Sequence, residues 1–271
     1  MEVQQSQTAD RDPERQIQIR LRYWLDFVRN AHREEMTLLL RKAKLGKRPR
    51  RVGERWEGWN NVVKHQAGQA VAMHVVGQAL ELPVAQRERM EKFALIHDAE
   101  KHMQRKPDDF TAEEQGGLTT TLESMHQETD PTGALRVATN EEFFYRIFER
   151  TTGEGIDQKL MNIPQEELLQ YYIDGIFLDG EIVPPLERIA RTEARRGDLN
   201  DDPVRCQRLG MKYWDAERLV AERVEAMICG WLKEKGIVLT APDQLPAFIR
   251  RRMEEEMMRH WQDTHAEAKH E

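Results

Sequence analysis

The spacing of apolar residues constrains this chain most: they recur at helical intervals and almost never alternate with polar residues over strand lengths. Ile17, Leu21, Trp24, Leu25 and Val28 mark one face of a helix predicted over 13–45, opening after Asp12. Further helices are predicted over 59–81, 84–105, 111–128 and 131–150, punctuated by Pro83, Pro107 and Pro131 and ended by the Gly-Glu-Gly run at 153–155. Thr111 and Glu114 have the spacing of a capping box. Pro164 precedes a helix that closes at Asp179-Gly180, and another follows over 182–195. A long helix to 235 and a charged one from Ala247 complete an all-α chain without internal repeats.

Composition narrows the class. The chain is 39% hydrophobic and 33% charged, and no stretch reaches the eighteen or so apolar residues of a membrane span. The amino end, MEVQQSQTADRDPER, lacks the apolar core of a signal peptide, so a cytoplasmic location without membrane contact is expected. Cys206 and Cys229 have neither the number nor the spacing of a disulfide framework or thiolate zinc site. A net charge of -7 argues against a dedicated duplex-binding protein. The run Arg41 to Arg51 opposes that balance locally, with seven basic residues in eleven. It reads first as a solvated connector, with phosphate contact as the alternative.

Polar residues set among apolar ones carry the chemistry. Met90, Phe93, Ala94 and Ile96 lead into His97 and Asp98, which point about 100° apart on a helix and can flank one ion, with Lys101 one turn further on. His65 sits in NNVVKHQAGQAVAMHVV between Val62 and Ala72, whereas His74 nearby reads as a satisfied interior histidine. Asp174 lies among Tyr171, Ile173 and Phe177. Burying a carboxylate unpaired costs several kcal/mol, so it must be neutralised, paired with arginine or bound to a cation.

The order His65, His97-Asp98, Asp174 resembles the signature of the HD superfamily of metal-dependent phosphohydrolases. NVVKHQ looks like the helix carrying that family's first histidine, ALIHDAEK like its name-giving segment, and YYIDGIFLDGEIVPPLERI like the helix of the last aspartate. The resemblance spans 55–195. It implies an HD-like helical bundle in which His65, His97, Asp98 and Asp174 hold one divalent metal. An N-terminal helix and basic connector (1–54) would precede it, and a helical extension (196–271) would pack on it or trail from it. Some nucleotidase branches place glutamate where this chain has Lys101, with Glu100 one position earlier. The HDxxK pattern instead resembles branches that set lysine on a substrate phosphate, including cyclic-dinucleotide phosphodiesterases. Those add adjacent histidines, which are absent between His126 and Asp174, and His126 stands as a single candidate extra ligand.

Two imidazoles and two carboxylates suit Mn, Fe, Co, Ni, Zn or Mg, with positions left over for water and a phosphate oxygen. Lys101 is the expected catalytic and substrate-binding cation, and Glu100 or Asp98 would orient water or take its proton. His102 is a candidate donor to a leaving group. Arg55 and Trp56, with Trp59, are candidate substrate contacts, an arginine on phosphate and an indole on a base, as against packing at the helix start. The expected activity is hydrolysis of a nucleotide or other small phosphate ester. Alternatives are phosphodiester cleavage of a cyclic or oligonucleotide, a diiron oxygenase using His126, and a non-catalytic metal-stabilised module touching nucleic acid through Arg41 to Arg51. A homodimer is compatible with all of these.

Overall fold

The computed structural model describes residues 26–45, 50–52, 55–57, 60–139, 141–148, 155–178, 181–241 and 243–267. They are mostly helical, as the apolar spacing predicts. Residues 26–31 are helical, the chain breaks at His32, and α1 (Arg33–Thr37) runs into a π-helical turn over Leu38–Lys42. The single helix expected over 13–45 is therefore interrupted within its described part. His32 leaves helical geometry (φ -133°, ψ 63°), and its ring reaches Glu91 at 2.8 Å.

The basic connector is not plain loop. Strand β1 (Arg50–Val52) pairs antiparallel with β2 (Arg55–Glu57). Arg55 and Trp56 thus lie on a strand, their side chains outside the described residues, as is Trp59 altogether. Helix α2 (Asn60–Ala79) and α3 (Val84–Ile96) form the central antiparallel pair, joined through Glu81 at φ 57° and Pro83. The helix expected to continue to 105 stops at His97. Tight turns over 97–100, with Ala99 N–H on Ile96 and Lys101 N–H on Asp98, lead into a separate α4 (Lys101–Arg105).

The Thr111–Glu114 capping box is formed at the start of α5 (Ala112–Thr129). The span expected as one helix over 131–150 contains two, α6 (Ala134–Ala138) and α7 (Glu141–Phe148). Helix α8 (Ile156–Met161) was not foreseen; α9 (Gln165–Gly175) follows Pro164 as expected. It ends before Asp179-Gly180, because Phe177–Leu178 (β3) pairs with Glu181–Ile182 (β4). Two prolines open α10 (Pro185–Arg196), where a missing N–H costs nothing. The long helix expected to 235 is split into α11 (Pro203–Leu209) and α12 (Tyr213–Glu234) by Gly210 at φ 73°, the left-handed region that favours glycine. Helix α13 (Gln244–Glu267) closes the chain.

Helix α2 is the hub. It packs against α3, against α9 and against α13, while α12 covers α9 and α10. Ala67, Ala70, Val71, Ala72, Met73 and Val75 of α2 are all buried, which its almost unbroken apolar stretch dictates. Met90, Leu95 and Ile96 of α3 and Tyr172 and Ile173 of α9 complete the centre of one continuous core. Residues 199–257 contribute to that same core through Leu209, Val220, Ile228 and Met253, so the C-terminal helices pack on it rather than trail from it. Among the described residues no helix is long and apolar enough to cross a membrane.

Candidate metal centre

Three helices converge on one point. The first turns of α2 supply His65, the C-terminal end of α3 supplies His97 with Asp98 just beyond, and the last turn of α9 supplies Asp174. Ligand atoms of His65, His97 and Asp98 all lie within 4.8 Å of one another. Asp174 Oδ1 stands 3.0 Å from His65 Nε2 and 3.7 Å from His97 Nε2, so all four sequence-predicted ligands are brought together. Two of them are 109 residues apart in the chain.

His97 is held for a purpose its surroundings do not satisfy. Its Nδ1–H donates to the Ala94 carbonyl at 2.9 Å, which leaves Nε2 as the free ring nitrogen. That Nε2 is buried and has no hydrogen-bond partner, although Asp98 Oδ2 is 3.5 Å away and Asp174 Oδ1 3.7 Å. An imidazole nitrogen facing two carboxylates is stabilised by positive charge, either a proton on the ring or a cation between the groups. Mixed nitrogen and oxygen donors at this separation fit a divalent ion.

The charges agree. Burial would lower the His97 pKa, but the neighbouring Asp98 and Asp174 carboxylates and the Ala94 carbonyl overcome it and raise the value. Burial would likewise raise Asp174, yet hydrogen bonds and charge from His65 and His97 hold it well below the usual carboxylate range. The pocket thus favours an anionic Asp174 and positive charge at His97.

Lys101, expected to face substrate, pairs with Asp98 Oδ2 and is 40% exposed, while Asp98 is 14% exposed. The ammonium therefore marks the solvent side of the cluster. Glu100 is outside it: its carboxylate accepts from Gln104 at 3.3 Å on the surface. His102 cannot meet a leaving group, since it is fully buried, bound to Asp109 at 2.8 Å and edge-on to Phe110. His126 is separated from His97 by the Phe93 ring, whose centroid is 6.1 Å from one imidazole and 6.0 Å from the other. Burial, then the Arg136 and His97 charges, lower the His126 pKa.

Sequence reasoning missed Gln69. Its amide nitrogen lies 2.7 Å from both Asp174 Oδ1 and His65 Nε2, and its Oε1 is buried without a partner. The available signal was its position one helical turn after His65, on the same face. It also missed Glu217 on α12, whose charge interacts with Asp174 and which faces Arg188 at 3.5 Å. No known protein family, curated protein or solved structure matches this chain.

Proposed function

We propose that this chain is a metal-dependent phosphohydrolase of the HD type, acting on a nucleotide or other small phosphate ester. The observation that carries the reading is the buried, partnerless His97 Nε2 set between two carboxylates, with His65 completing a two-histidine, two-aspartate set. His65, His97, Asp98 and Asp174 would hold the ion. A divalent ion there supplies a Lewis acid that polarises a phosphoryl oxygen and lowers the pKa of water.

The chain's own groups do the rest. Lys101 binds a phosphoryl oxygen from the open side, close enough to Asp98 that charge building on phosphorus meets a fixed ammonium. Asp98 Oδ2 faces both His97 Nε2 and Lys101, which ties the ammonium to the donor set. Gln69 donates to Asp174 and keeps that carboxylate turned toward His65. The aromatic ring of Phe177, perpendicular to His65 at 6.0 Å, excludes water from one side of the imidazole.

The test is metal analysis of the purified protein, then phosphate release from a panel of monoesters and diesters with the metal found. Turnover should fall by roughly two orders of magnitude or more in His97→Ala and in Asp98→Ala, with helicity retained. Unchanged turnover in both variants overturns the site. A protein that loses thermal stability on metal removal yet turns over no substrate is a metal-stabilised module, and the enzymatic reading fails.

A further inference from the structure

Further along α2 and α3, against the N-terminal segment, a cavity of about 330 Å³ is lined by Phe27, His32, His74, Arg87, Glu91 and Lys92 among others. His74 lies nine residues beyond His65 on α2, about 13 Å of helix rise, so this cavity is distinct from the candidate metal centre. We propose that it is a binding site for a small organic anion, a carboxylate or phosphate group carried on an apolar body, with Arg87 as the anchoring cation.

The argument begins with how the cavity's charges are used. Glu91 is buried and accepts hydrogen bonds from His32 Nε2 at 2.8 Å and His74 Nδ1 at 2.9 Å. Its two oxygens are thereby occupied. The second nitrogen of His74 lies 2.8 Å from the Gln78 amide nitrogen. Lys92 faces Glu128 at 3.1 Å and Glu35 at 3.6 Å. Two groups remain unused. His32 is 5% exposed and its Nδ1 is buried with no hydrogen-bond partner. Arg87 has no ion pair among the described residues, and its Nε is buried with no partner.

Arg87 is half-buried, and its buried Nε–H costs free energy until an acceptor reaches it. Its position is also built. Gly77 of α2 faces Arg87, and a methyl group at that position would stand 2.7 Å from Arg87 Cγ and 2.9 Å from Cδ. Only a residue without a side chain lets the arginine stem cross α2 there. The Phe27 ring, also in the lining, meets His74 edge-on at 5.3 Å and supplies apolar surface. A planar guanidinium suits bidentate recognition of a carboxylate or phosphate, and the aromatic wall suits the body attached to it. Glu88, also lining the cavity, is exposed to solvent, where its charge is screened.

The experiment uses the full chain with phenylphosphonate and benzoate as probes, binding being followed by calorimetry and by the shift in Tm. At least one probe should bind saturably to the wild type and about tenfold more weakly to Arg87→Met, which keeps the stem on α2 but removes the guanidinium. Gly77→Ala, which pushes the stem aside, should weaken the same probe. His97→Ala should leave it unchanged. Equal binding by wild type and Arg87→Met overturns the proposal, as does binding lost in His97→Ala, which would place the anion at the metal centre. Stabilisation by benzylamine in preference to both anions would make the cavity a cation site and refute it.

Discussion

Glu225 on α12 offers a direct test of how this core handles a buried acid. Its side chain is buried, and Tyr172 O–H donates to its Oε1 at 3.0 Å. Burial, reinforced by the charges of Asp243 and Glu222 and opposed by the Tyr172 hydrogen bond, raises its pKa from 4.5 to about 7. The folded protein therefore binds this proton more tightly than the unfolded chain, and stability falls as pH rises from about 4.5 to about 7, then levels off. At about 1.4 kcal/mol per pH unit the whole shift amounts to roughly 3 kcal/mol. Glu225→Gln mimics the protonated acid, keeps an acceptor for Tyr172 and never ionises. Variant and wild type should be nearly equal in stability at pH 4, and the variant should gain up to roughly 3 kcal/mol by pH 8. For a chain of this size that gain is a Tm difference on the order of 6 °C or more. Glu217, also raised to about 7 by burial first of all, leaves a slope in both proteins, so the difference between them isolates Glu225. Thermal and urea unfolding at each pH read it out. A variant-minus-wild-type difference that stays flat across this range refutes the buried, proton-retaining acid.

Two further outcomes are expected. On the proposed reading, adding the divalent metal at about one hundred times its Kd should stabilise the wild type by roughly 2.7 kcal/mol and Asp174→Asn by much less, measured as Tm with and without chelator; equal shifts would count against Asp174 as a ligand. Arg146→Ala should destabilise by about 2 kcal/mol or more in urea, because Glu167 is completely buried and Arg146 is its ion-pair partner; an effect within experimental error would show that Glu167 is protonated in the fold. Burial acts first on Glu167 and raises its pKa, so the loss should be larger at pH 8 than at pH 5.

Helical character was legible because periodicity is a local property, and the cap at Thr111 was legible for the same reason. Breaks were less so. Nothing in the residues around His32 stops a helix; the stop accompanies a hydrogen bond to Glu91, 59 residues away. The interruption at His97 likewise falls within a continuous helical pattern, at the point where its side chains turn toward α9. Gly210 could have been read as a break, since glycine is the residue that tolerates its left-handed φ, but a single glycine also occurs inside helices, as Gly77 does. The four candidate ligands were legible because each is a polar residue in an apolar setting. Glu100 and His102 sit within about one turn of His97 and Asp98 and were drawn into the same reading, and only three-dimensional placement separates these two from the cluster. The second cavity left no local signature, because Phe27, His32, His74 and Arg87 come from different segments.

The convergence of His65 and Asp174 across 109 residues bears on the order in which the molecule comes into being. Closing a loop of that length is entropically slow compared with forming α2 or α3, so the helices precede the cluster. A chain emerging from its N-terminus has three of the four donors long before the last aspartate arrives. On the proposed metal-binding reading, the full donor set exists only once the core is complete, so an ion would seal an assembled bundle rather than seed it.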